Sequence, residues 1–142
     1  MFDDPAFESA IRALRYRDRT SAQLDRHLSE RGFTEDERAG ALATLARTGV
    51  LDDVRYATNR AATLADRGAG DAFIRHDLER AGLGGSSVED ALSLVESERV
   101  RADRIVDRRG ASAKTARYLA GKGFSDEVVR GAVARVAGEA LG

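Results

Sequence analysis

Three stretches decide how this chain folds: SAQLDRHLSERGFTEDERAGALATL (21–45), DAFIRHDLERAGLGGSSVEDALSLV (71–95) and SAKTARYLAGKGFSDEVVRGAVARV (112–136). They superimpose without internal gaps. Each opens on a good helix N-cap residue, Ser21, Asp71 or Ser112. Seven residues on stand Leu28, Leu78 and Leu119, and eleven on stand Gly32, Gly82 and Gly123. Glycine after a helix takes the left-handed conformation that ends it. The next residue, Phe33, Leu83 or Phe124, then folds back onto the helix just left. Thr34 and Ser125 are placed to cap a second helix, with acids in its first turn. That second helix carries one apolar face: Ala41, Leu42 and Leu45, matched by Ala91, Leu92 and Val95 and by Ala132, Val133 and Val136.

Working outward, a further helix precedes each stretch. The apolar spacing predicts helices over about 6–17, with Phe7, Ile11 and Leu14, over 53–67, with Tyr56, Ala57, Arg60 and Leu64, and over 97–109, with Ala102, Ile105 and Val106. The unit is three helices, used three times: 1–49, 50–96 and 97–142. One such unit buries little alone, and stacked units share their faces. The expectation is an all-α chain of about nine helices, elongated and curved. Between units one and two, Gly49 ends a helix, Val50 and Leu51 tuck in, and Asp52 or Asp53 caps the next. From Ser87 to Arg109 no Gly or Pro intervenes; two helices joined by a kink near Ser97 are favoured over one long helix.

Composition narrows the function. The 142 residues hold no Cys, so disulfides, thiol catalysis and Cys-based zinc sites are out, and two His, His27 and His76, are too few for the usual metal clusters. No metal and no cofactor is expected. The start MFDDPAFESA lacks the features of a signal peptide, and no apolar stretch approaches membrane length. A soluble, cytoplasmic, monomeric protein is expected. Asp52–Asp53 reads better as a helix cap than as a catalytic pair. GASAKT (110–115) lacks the spacing of a phosphate-binding loop and follows a helix. No catalytic constellation is found, so the signal has to lie in surface and shape.

The formal net charge of −1 is unevenly laid out: residues 1–50 sum to −1, residues 51–95 to −3 and residues 96–142 to +3. Within 99–122 there are 8 basic and 2 acidic side chains. Arg101, Arg104 and Arg108 recur at helical spacing, followed by Arg109, Lys114, Arg117 and Lys122. A second stripe, Arg12, Arg15 and Arg19, has the same spacing in the first helix. Such stripes are candidate contacts for phosphates or for an acidic protein surface, and otherwise solvated helix faces balanced by Asp103 and Asp107. The helix–Gly–helix pairs also have the outline of a helix-turn-helix. A recognition helix puts its N-terminal residues near phosphates, and here those positions carry Glu35, Asp36 and Glu37, Glu89 and Asp90, and Asp126 and Glu127, which disfavours sequence-specific duplex binding.

The runs RTSAQLDRHLSERGF, GVLDDVRYA, RGAGDAFIRHDLERAGL and LAGKGF together resemble the RecX family, bacterial regulators of the recombinase RecA, over about residues 9–136. The linker Leu51-Asp52-Asp53-Val54-Arg55-Tyr56-Ala57 is the most specific element. The resemblance implies tandem three-helix repeats and no catalysis. It implies binding to the RecA nucleoprotein filament in its groove, blocked extension, disassembly, and lower ATPase, strand-exchange and coprotease activity. Contact with single- or double-stranded DNA would be weak or indirect. The chain departs from the family pattern at Gly68-Ala69-Gly70-Asp71, where Gly-Pro and basic residues are common, and at His76-Asp77. The alternatives are a helix-turn-helix protein acting on DNA without RecA, and a helical scaffold for an unrelated protein.

Overall fold

The computed structural model describes residues 4–141, with side chains to 138, and among these it contains nine α-helices and no strand. They are α1 (Pro5–Tyr16), α2 (Ser21–Glu30), α3 (Glu35–Arg47), α4 (Asp53–Asp66), α5 (Asp71–Arg80), α6 (Gly85–Ser93), α7 (Glu98–Arg109), α8 (Ala113–Gly121) and α9 (Asp126–Leu141). The turn that repeats in the sequence repeats in space. Gly32, Gly82 and Gly123 all have φ of 90–95°. The amide of the next residue donates to the Leu seven places into the stretch: Phe33 to Leu28, Leu83 to Leu78, Phe124 to Leu119. This is the Schellman closure, and it reverses the chain so that the next helix packs back.

Most caps fall where the sequence puts them, and two move. Thr34 and Glu37 form a capping box at α3, Asp52 caps α4, Ser97 caps α7 and Ser112 caps α8. At α2 the cap is Thr20, boxed with Gln23, and at α5 it is Gly70, one residue before Ser21 and Asp71. Ser21 and Asp71 are helical, and they serve the joints described below. The stretch 87–109 is two helices, α6 and α7, parted before Ser97.

Each unit has its own core. The first is built on Ala6, Ala10, Ala13, Leu24, Leu28, Ala41, Leu45 and Leu51, the second on Ala57, Ala61, Leu64, Ile74, Leu78 and Val88, the third on Ala102, Ile105, Val106, Leu119, Phe124 and Ala132. Phe7, Ile11 and Leu14 flank the first core, and small residues of α1 fill its centre. Only Leu51 of the Val50–Leu51 pair is buried; Val50 is exposed. Every substantial helix–helix contact lies inside a unit. The surface follows from that: 8766 Å² for 15.3 kDa, against about 7,100 Å² for a rounded monomer of that mass. Three thin cores in series expose more than one round core.

Candidate functional site

The third unit carries the basic cluster, and the packing of α7 decides which of its charges reach solvent. Ala102 and Val106 are fully buried and Ile105 nearly so, so the face four residues before Ile105 also points inward. That face is Arg101, 5% exposed. Its Nη1 donates to Ala69 O at 2.6 Å, its Nε to Glu96 O at 2.8 Å, and its Nη2 to the Asp71 carboxylate. The guanidinium also lies 5.8 Å from the Phe124 ring centroid. Arg101 is therefore a correction to the sequence reading. It is the strut between units two and three, with no charge left to offer a partner.

The other predicted contacts separate by what they already hold. Arg104 pairs with Glu96 at 2.9 Å on the surface. Arg109 stacks on Tyr118, 3.5 Å from the ring centroid. Arg108, Lys114 and Arg117 are exposed and have no ion pair among the described residues; Lys122 is half-buried. Asp103 and Asp107, the expected balancing acids, are taken by Arg99 and Arg135. Arg135 sits well above the usual arginine range because of the hydrogen bond to Asp107.

The first-unit stripe is shorter than its spacing suggests. Arg12 and Arg15 are exposed on α1, but the helix ends at Tyr16, so Arg19 lies beyond it. Arg19 turns back to Ala13 O at 3.4 Å, and burial beside Arg17 holds its pKa below the ordinary value. Tyr16, 86% exposed, stands among these arginines.

The linker resolves into mechanical parts. Leu51 enters the first core and Asp52 caps α4 by accepting from Arg55 N at 3.0 Å. Asp53 reaches back across the joint to the amide of Ser21 at 2.7 Å. The Arg55 guanidinium ties Gly49 O and Val50 O, both at 3.0 Å. Tyr56 opens onto a cleft of about 640 Å³ between units one and two, with Arg60, Phe73, His76 and Arg80 in its walls. Arg60 there is held to Asp77 through two bonds, which raises its pKa. The sequence reading missed this cleft: it placed Tyr56 on the apolar face of the second unit's first helix, where the ring does flank the core, and nothing in the spacing showed that it also borders an opening toward unit one. Among the described residues no cluster of His, Asp and Glu has metal-binding geometry, and no helix is long and apolar enough to cross a membrane.

Residues 6–45 match the family profile described as RecX, first three-helix domain. A regulatory protein RecX of Acidithiobacillus ferrooxidans is 32% identical over 125 residues, covering 85% of this chain and 83% of its own length. The chain belongs to the RecX family. A second RecX, from Chromohalobacter salexigens, is 31% identical over 136 residues, 89% of this chain and 90% of the relative. The crystal structure of RecX from Lactobacillus salivarius superimposes with a TM-score of 0.79 at 21% identity, over 93% of this chain and 94% of that one, and so shares its fold. The family features quoted from the sequence are thus largely joint-making ones: Leu51, Asp52, Asp53, Arg55, Gly32, Gly82 and Gly123 all hold units together or turn helices.

Proposed function

We propose that this RecX-family chain is a negative modulator of RecA that acts by binding alone. It lies in the groove of the RecA–DNA filament, blocks extension and favours loss of RecA from DNA. ATPase, strand-exchange and coprotease activities fall as a consequence. The observation that supports this reading best is the exposed basic surface of the third unit, Arg108, Lys114 and Arg117, without ion pairs among the described residues, on a chain whose first two units carry net negative charge. A groove lined by protein and DNA suits a body that is basic at one end and acidic along the rest. Arg12 and Arg15 form a second, smaller contact.

The test is strand exchange and ATP hydrolysis by the cognate RecA with the protein titrated in. Inhibition at stoichiometric amounts is expected, and none would overturn the reading. Arg108→Glu with Arg117→Glu should weaken binding to RecA–DNA. If phosphates are touched, the salt dependence should flatten by roughly one unit of log–log slope for each phosphate no longer neutralised. A gel-shift on varied duplexes without RecA should give weak binding indifferent to sequence; tight sequence-dependent binding would support the helix-turn-helix alternative instead.

A further inference from the structure

The two internal joints are built alike. Between units one and two, the Thr20 hydroxyl donates to Ala81 O at 2.5 Å, and the methyl of Ala22 lies against Gly82 where any side chain would overlap it. Between units two and three, Gly70 N donates to Lys122 O at 2.8 Å and Ala72 N to Gly123 O at 3.2 Å. There a Cβ on Gly123 would come within 2.8 Å of Phe73. In both joints the start of one unit's second helix seats on the glycine turn of the next unit. In both, an acid at the start of the next unit's first helix caps the seated amide: Asp53 to Ser21, Glu98 to Asp71.

By the repeat alignment Thr20, Gly70 and Ala111 are one position, and Ala22, Ala72 and Ala113 another. On the opposite side Ala81, Lys122 and Arg31 correspond, as do Gly82, Gly123 and Gly32. Each half of the joint therefore exists once more, engaged by no other unit among the described residues; at the seating half α8 starts one residue later than α2 and α5, on Ala113, with Ser112 as its cap and the Ser112 amide turned to Gly110 O at 3.2 Å. The seating half is at residues 111–113, with Ser112 and Ala113 exposed; the receiving half is at Arg31–Gly32–Phe33, where no atom of the described residues lies within 4 Å of the missing Cβ of Gly32. Apart from the exposed Arg31 in the turn itself, the free faces are also complementary in charge. Arg108 and Arg109 end α7 and Lys114 lies in the first turn of α8, all exposed, while Glu35, Asp36 and Glu37 stand just after the Gly32 turn, with Asp4 near enough to act on Glu37.

We propose that copies of this chain join end to end, residues 111–113 of one seating on the Arg31–Gly32–Phe33 turn of the next, as a third use of the internal joint. Such a contact is heterologous, so it leaves a free half at each end and continues from copy to copy instead of pairing two copies off. It departs from the internal joints in the later start of α8, and it lacks their capping acid, because α1 begins on Pro5 where α4 and α7 begin on Asp53 and Glu98. The end-to-end joint is consequently weaker than the internal ones and forms when copies are concentrated or aligned on a common scaffold. Alignment on a RecA filament rests on the function proposed for the chain; the contact itself does not.

The chain has no cysteine, which makes cross-linking clean. Arg31→Cys and Ala113→Cys are made singly and together in the full chain and oxidised mildly, after far-UV circular dichroism confirms folding. A mixture of the single variants should give 31–113 dimers, and the double variant a ladder of multimers. Dominant 31–31 or 113–113 products, or no product above background, would overturn the proposal. On the unaltered chain, sedimentation velocity at low salt up to about 1 mM, the effective concentration of closely tethered sites, should show continuous association that salt suppresses. A constant monomer, or a dimer that grows no further, overturns it as well. Glu35→Lys with Asp36→Lys should abolish the association, as should Arg109→Glu with Lys114→Glu, and the two variants mixed should recover it as an alternating array, since every basic face then meets an acidic one; no recovery in the mixture overturns the proposed pairing of faces. If association behaves so while RecA is not inhibited, the end-to-end contact stands and the RecA reading fails.

Discussion

Replacing Arg101 by Ala tests the joint between units two and three. The Ala69 carbonyl, in a residue 3% exposed, is left without its donor in a place water does not reach, at a cost of about 1–3 kcal/mol. The guanidinium over Phe124 adds about 0.5–1 kcal/mol. Asp71 is about a third exposed and regains water, and the bond to Glu96 O, in an exposed residue, is only partly buried, so neither adds its full worth. The sum is roughly 2–4 kcal/mol, concentrated at one joint of a serial structure. Urea unfolding followed by circular dichroism measures the total. Hydrogen exchange resolves where it falls: amides of α7 and α8 should exchange faster while those of α2 and α3 stay as they were. A loss under about 0.5 kcal/mol, or protection reduced equally in all three units, would refute the assignment of Arg101 as a strut.

Three further outcomes follow from the same geometry. Leu28→Ala and Leu119→Ala, both at positions with no exposed area, should each cost about 2–5 kcal/mol in urea unfolding; a cost near zero would mean the cores are misplaced. Gly70→Ala tests close approach without backbone strain, since φ there is −82°: the new methyl meets the main chain of Gly123 and Phe124, and a loss of about 1–3 kcal/mol is expected, whereas an unchanged melting curve would show the joint to be loose. His27 has its pKa held below 6.5 by burial first and then by Arg19 and Arg31. Its unfolded form therefore takes up a proton before its folded form, so stability is complete above pH 6.5 and declines as pH falls through the folded value. His27→Gln should flatten that decline in melts between pH 7 and pH 5, and an identical slope in the variant would remove His27 from the account.

The repeat was legible because helix ends are local events. A glycine at fixed distance from a leucine, followed by an apolar residue, requires nothing from the rest of the chain, and all three turns formed as read. The break before Ser97 was legible for the same reason, since Ser97 can cap whatever follows it. Arg101 was misread because charge spacing and apolar spacing compete on one helix. Taken with Arg104 and Arg108 it completes a basic stripe; taken with Ala102, Ile105 and Val106 it falls on the buried face. Its partners, Ala69 and Asp71, are about thirty residues away, and no local pattern announces them. Arg19 failed differently, because helical spacing was extended past the end of the helix. The acids that pair with Arg99, Arg104 and Arg135 likewise come from neighbouring turns and from another helix, and they remove charges that a linear count treats as free.

The joints carry a mechanical consequence. Where Gly70 meets Gly123, main chain lies directly on main chain, with no rotatable side chain between to absorb a tilt. Bending there has to break amide–carbonyl bonds rather than flip rotamers, so small displacements at one unit are passed on undamped to the next. A chain jointed this way is a lever: a change of angle where one end is gripped becomes a larger travel at the other.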